Sequence, residues 1–148
     1  MQCFLNTKAF DSFLLKELKL TTYNTFTIDG RIHKNYYDTA QAKELETEDS
    51  LSFSSWENMR PIVYDLIKGK RLPLQFHIVL YLSPSHAETL LKKENAPTEA
   101  VEALACNIQF SSNTLYVTTG VAYKSFTMDK TVENIWDETM EKFLNRFV

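Results

Sequence analysis

Lys68, Lys70 and Arg71 place three cations around Gly69 within four residues, inside the stretch DLIKGKRLPLQFHIVLYLS at 65–83. A tight turn that offers backbone N–H groups and carries cations has the means to hold a phosphate or a carboxylate. It is not a P-loop. GxxxxGK[ST] would need glycine at Tyr64 and serine or threonine at Arg71. The turn follows a helix-like run, so cations there also complement the negative helix end without any ligand. Arg31, His33 and Lys34 form a second small basic group beside Tyr36 and Tyr37, a cation-plus-aromatic mix of the kind nucleic-acid surfaces use. The expected anion-binding set is Lys68, Lys70, Arg71, Arg31 and Lys34, with Lys70 and Arg71 exposed and near Arg31 or Lys34.

Other chemistries find less support. His33, His77 and His86 lack ligand spacing such as HxH or HExxH. Cys3 and Cys106 form no CxxC, and neither has an activating neighbour in sequence. They read as reduced thiols of a cytoplasmic protein. There is no GxSxG. Asp29 suits a turn and Asp129 a helix cap. No catalytic residue, metal or cofactor is expected, and the reading leans away from an enzyme, although folding assembles sites from distant residues.

These residues must be positioned by one domain, which 148 residues suit. Hydrophobic residues at 44% are ample for a core, and 24% charged residues are ordinary for a soluble chain. A net charge of −3 gives no global pull toward nucleic acid or anionic membrane, so such a role would need a local patch. The apolar run Phe76–Leu82 falls well short of the ~20 residues that span a bilayer. Lys8 and Asp11 interrupt the start, so it lacks a signal-peptide core.

The spacing predicts an α+β fold: a mainly antiparallel sheet of about five to six strands with helices packed against it. A helical turn at 7–11 leads into a strand over 13–22. Asp29-Gly30 predicts a tight type I′ hairpin across 23–37, although that register sets Arg31 and His33 on the face of Ile28 and Phe26. The acidic stretch 38–50 reads as a mobile surface loop. Ser54 and Glu57 fit a capping box ahead of a helix that Pro61 kinks or delays, and Gly69 suits its left-handed end. Leu74–Leu82 alternates as an internal strand. A helix follows from Ser83-Pro84 to about Lys93, with Ser85 and Glu88 offering a second capping box. A short helix is expected over 97–104, then strands at 106–110, 115–119 and 121–128 with Gly120 at a bend. Val132, Ile135, Trp136, Met140, Phe143, Leu144 and Phe147 recur at helical spacing, which predicts a long amphipathic helix over 130–146.

Three segments together carry a resemblance: YNTFTIDGRIHKNYY at 23–37, WENMRPIVYDLIKGKRLPLQF at 56–76 and TTGVAYKSFTMDKTVENIWDETMEKFL at 118–144. They resemble an uncharacterised, Firmicutes-type bacterial family of small proteins, a domain of unknown function. The resemblance spans nearly the whole chain and implies no activity, cofactor or catalytic position. The expected function is a small cytoplasmic binding or interaction module, with a protein partner or self-association and no membrane. Trp56, Tyr64, Tyr81 and Tyr116 are candidates for an interface or pocket. The alternatives are a phosphate- or nucleic-acid-associated protein using the basic turns at 31–34 and 68–71, and an unrecognised enzyme.

Overall fold

The structure is a computed structural model that describes residues 8–36, 53–67 and 71–146. The expected acidic loop at 38–50 and the helix end at Gly69 lie outside them. In chain order the elements are β1 (Phe13–Thr21), β2 (Thr25–Asp29), a 3₁₀ turn (Lys34–Tyr36), α1 (Trp56–Ile67), β3 (Gln75–Leu82), α2 (Pro84–Lys93), β4 (Val101–Ser111), β5 (Thr114–Tyr123) and α3 (Thr131–Asn145). The five strands form one antiparallel sheet in the order β2-β1-β3-β4-β5, with three helices packed on it. The α+β expectation holds, and β3 is the central strand.

Register explains why one face is apolar. Leu20 sits opposite Phe76, which sits opposite Phe110. Leu18, Ile78 and Ile108 form the next row, and Leu15, Leu80 and Cys106 another. All nine are buried, and the Phe76 and Phe110 rings stack at 5.4 Å. They join one cluster with Trp56, Val63 and Ile67 of α1, Leu91 of α2, and Val132, Trp136 and Met140 of α3. Each large apolar side chain so buried contributes about 1.5–3 kcal/mol of transfer free energy. The helices therefore occupy one face of the sheet, and side-chain alternation sends the next residue of each strand to the other face.

The first hairpin is not where the Asp-Gly pair predicted it. β1 and β2 turn at residues 22–24, where Thr22 N donates to Asn24 O, and Leu20 pairs with Phe26 and Leu18 with Ile28. That register keeps apolar residues together, whereas a turn at Asp29-Gly30 would have mixed Ile28 and Phe26 with Arg31 and His33. Gly30 instead ends β2 in a crowded position. Its N–H donates to Lys16 O, its carbonyl accepts from Ser54 N, and a Cβ there would meet Leu15 O at 1.7 Å. Asp29 accepts a hydrogen bond from Arg31 N at 3.0 Å.

Other boundaries shift for local reasons. The α1 cap is Ser55, one residue later than expected; its hydroxyl accepts from Asn58 N at 3.2 Å, and Glu57 is too early to complete a capping box. Pro61 lies inside α1, which runs through it. Ser83, with Pro84 at the first helical position, occupies the cap position of α2 in place of Ser85, without a side-chain capping bond. The expected helix over 97–104 is a turn followed by β4, because pairing with β5 reaches back to Val101. The expected two strands either side of Gly120 are the single strand β5, which passes through Gly120 without a break in register. Ser112 and Asn113, both at positive φ, form the two-residue loop between β4 and β5. Lys130 occupies the cap position of α3, while Asp129 Oδ1 accepts from Thr131 N and Oγ1 at 2.9 and 2.6 Å.

A candidate ligand-binding face

The face without helices carries a polar row. Thr27, Lys19, His77, Gln109 and Tyr116 align across all five strands. A second row of Thr25, Thr21, Gln75, Ser111 and Thr114 runs beside it. Between the two rows lies a shallow cavity of about 230 Å³, lined by Lys19, Thr21, Gln75, His77, Gln109 and Ser111 with Phe76 and Phe110. No carboxylate lines it, in a chain of net charge −3. The volume is below the ~300–1,000 Å³ of a drug-sized site, so it suits a headgroup or one small polar ring. Its donors are an ammonium, two amides, hydroxyls and an imidazole, a set able to satisfy an anion by charge-assisted hydrogen bonds.

The far end of the same face is built differently. β1 bulges between Leu15 and Glu17. Lys16 Nζ stands 5.4 Å from the Tyr81 ring centre, and Phe53 meets that ring edge-on at 5.5 Å. A hydrogen bond with Tyr81 outweighs partial burial and holds Lys16 above its ordinary pKa, so its cationic form is favoured.

The basic residues named from the sequence fall into two places. Arg71 is exposed and precedes β3; Leu74 N, three residues on, donates to Thr21 O at 2.9 Å. Arg71 therefore enters the sheet at the end that holds the cavity. Lys68 and Lys70 lie outside the described residues. Arg31 is exposed and is held beside the bulge of β1, through Gly30 N to Lys16 O and a bridge to Phe53. Lys34 opens the 3₁₀ turn beyond it. From Lys16 to Thr21 is about 17 Å of strand at ~3.4 Å per residue, so Arg31 and Arg71 attach to β1 about that far apart.

The histidines and thiols divide by environment. His86 is exposed in the first turn of α2, and its Nδ1 lies 2.5 Å from Ser83 Oγ. His33 is exposed, while His77 is half-buried on the cavity wall. Cys106 is buried, and burial pushes its thiol up to about 12, which removes it as a nucleophile at neutral pH. Cys3 lies outside the described residues. Among the described residues no group of three or more His, Cys, Asp or Glu is placed to hold a metal ion. Arg60 and Asp11 form a half-buried ion pair that ties α1 to the turn before β1. Of the four aromatics proposed for a site, Trp56 belongs to the core, Tyr81 packs against Phe53, and Tyr64 and Tyr116 are exposed.

Sequence reasoning missed Lys19, Gln75 and Gln109. Their signal is alternation itself: Lys19 and Gln109 stand between buried apolar neighbours, and Gln75 precedes buried Phe76, so each must face away from the core. Only the register brings them together.

This fold and site define a single antiparallel sheet covered by helices on one face and presenting a polar surface on the other. The chain belongs to the family of unknown function DUF5721, whose model matches residues 3–147. No curated protein and no solved structure matches the chain. Among the described residues no helix is long and apolar enough to cross a membrane.

Proposed function

We propose that this protein is a small binding module whose open sheet face holds an anionic group, phosphate or carboxylate, on a polar ligand. The observation that carries the reading is the carboxylate-free cavity on the uncovered face, with Lys19 in its wall and Arg71 leading into the adjoining strand end. Gln75 and Gln109 supply amide donors, and His77 a ring N–H. The free, buried Cys106 thiol fits a cytoplasmic setting.

Nucleic acid is the second reading, favoured by the additional Arg31 and Lys34 group. To touch both groups a strand must cover about 17 Å, roughly five phosphates of a duplex at 3.4 Å each. A single phosphate needs only the cavity end. The two readings therefore separate by mutation.

Amide chemical-shift titration with inorganic phosphate at low salt, and then with a short oligonucleotide, tests both. Phosphate is expected to move Lys19, Gln75, His77 and Gln109, with affinity falling as salt is added. Lys19→Ser with Arg71→Ser should weaken it about tenfold or more, the scale of a charge-assisted hydrogen bond. Arg31→Ser with Lys34→Ser should leave phosphate binding unchanged and weaken only the oligonucleotide. Absence of any shift at millimolar phosphate and low salt sinks the anion reading.

A further inference from the structure

β5 is a ten-residue strand, TLYVTTGVAY, at the edge of the sheet. It contains no Lys, Arg, Asp, Glu or Pro. Natural edge strands are normally short, charged, bulged or covered, because an open edge templates further pairing. The opposite edge, β2, follows that rule: it has five residues and ends in Asp29. Among the described residues nothing pairs with the outer side of β5.

The hairpin geometry says which groups are left open. A two-residue loop at Ser112-Asn113 makes Ser111 and Thr114 a hydrogen-bonded pair. Alternation then makes Gln109–Tyr116, Asn107–Thr118 and Ala105–Gly120 hydrogen-bonded pairs too. The backbone groups of Leu115, Val117, Thr119 and Val121 therefore point outward, away from β4.

Beside this edge lies α3. Thr119 Oγ1 donates to Asp137 Oδ1, and a cavity of about 340 Å³ opens between strand and helix. Its walls are Thr119, Gly120, Val121, Glu133, Trp136 and Asp137. Trp136 forms a rigid part of it, since its indole N–H donates to Ala105 O at 2.8 Å. Glu133, Asp137 and Glu141 recur at four-residue spacing, so they share one helix face, the face that meets β5. Lys130 partly balances Glu133 at 3.2 Å, which leaves the stripe acidic. The loop from β5 to α3 adds Phe126 and Met128, 90% and 82% exposed.

We infer that the β5 edge takes up an extended basic peptide segment of a partner protein as a sixth antiparallel strand, with its alternate Lys or Arg side chains over the acidic stripe of α3. Main-chain pairing supplies the docking and the stripe supplies the preference for positive charge. A second copy of this chain is a poorer occupant. Antiparallel pairing of two β5 edges around a two-fold axis puts both α3 helices on the same face, with like-charged stripes turned toward each other.

The test uses the full chain and a synthetic peptide alternating lysine and valine over eight residues, with an alternating glutamate–valine peptide as control. Hydrogen exchange followed by NMR reads each amide. The lysine peptide is expected to slow exchange at Leu115, Val117, Thr119 and Val121, while Tyr116, Thr118 and Gly120, already bonded to β4, change little. Glu133→Gln with Asp137→Asn, one half-buried and one exposed, should weaken binding about tenfold, and added salt should do the same. Val117→Pro removes an outward N–H without breaking a bond to β4, so it should weaken binding while the β4 amides stay protected. Three results would overturn the proposal: no new protection at the four amides, equal binding of the glutamate peptide, or the same four amides protected without peptide in a concentration-dependent dimer.

Discussion

Gly30→Ala is the most informative single change in the sheet. If Asp29-Gly30 were a hairpin turn, Gly30 would be there for positive φ; alanine would cost about 1 kcal/mol, and asparagine would be tolerated. The structure gives a different reason. A Cβ at residue 30 would lie 1.7 Å from Leu15 O and 2.7 Å from Leu15 C, both backbone atoms of β1. Relief requires the chain to move away from β1. That strains the hydrogen bond from Gly30 N to Lys16 O at 2.9 Å, and with it the bond from Ser54 N to Gly30 O at 2.8 Å. Overpacking of this kind costs about 1–3 kcal/mol, and two weakened backbone bonds add about 0.5–1.5 kcal/mol each. The expected loss is therefore roughly 2–6 kcal/mol in urea melts, with asparagine at least as damaging as alanine. Gly120→Ala is the internal control. A Cβ there meets nothing within 4 Å, so the change should be neutral or stabilising by about 0.5–1 kcal/mol, as strand alanine replaces glycine. A Gly30→Ala loss below about 1 kcal/mol, or an asparagine variant more stable than the alanine one, would refute the crowding argument.

Three further outcomes are expected. Trp136→Ala should cost about 3–5 kcal/mol in the same melts, because the indole is core and its N–H bond to Ala105 O is lost with it; a loss under 1 kcal/mol would place the ring outside the core. In a Cys3→Ser background, Cys106 should resist a thiol reagent at pH 8 until denaturant unfolds the chain, since burial holds its thiol near 12; fast labelling of the native protein would contradict that. Asp129 is held below its ordinary 3.8 by hydrogen bonds from Thr131, so its contribution is present above that value and disappears as pH falls through the lowered one. The Tm gap between wild type and Asp129→Ala should thus be open at pH 6 and closed in strong acid, and a gap that persists there would exclude the carboxylate as its source.

The parts of the fold legible in the sequence are those where one periodicity runs unopposed. Trp136 and Met140 recur at helical spacing, and Phe76, Ile78 and Leu80 alternate, so α3 and β3 could be read directly. The Asp-Gly pair misled because its local preference for a turn was weaker than the demand that Leu18 and Leu20 share a face with Ile28 and Phe26. The mixed face that its own register required was the warning. Gly120 misled in the same way, since ladder bonds on both sides carry β5 through it. The candidate face was legible only in pieces. Lys19, His77 and Gln109 are far apart in the chain, and nothing short of strand order and register sets them in one row. Arg71 was visible as part of a run of charge density, but which strand end it precedes was not.

The two proposed surfaces meet at Tyr116. Its side chain closes the row of Lys19, His77 and Gln109, while its neighbours Leu115 and Val117 offer their backbone groups to the open edge. A sixth strand beside β5 would add one residue to that row next to Tyr116, and with its lysines over α3 the peptide turns its valines toward the open face. Occupancy of the edge and of the cavity should therefore be linked. Linkage is reciprocal, so if saturating peptide changes the phosphate Kd by some factor, saturating phosphate must change the peptide Kd by the same factor. Titrating each ligand with and without the other measures both factors. Tyr116→Ala should reduce the linkage while leaving the outward amides of Val117 and Thr119 able to pair, because it removes the side chain that stands between Gln109 of the cavity wall and the edge, and none of the backbone that binds the strand. Two unaltered affinities in the doubly saturated protein would mean that the face and the edge act independently.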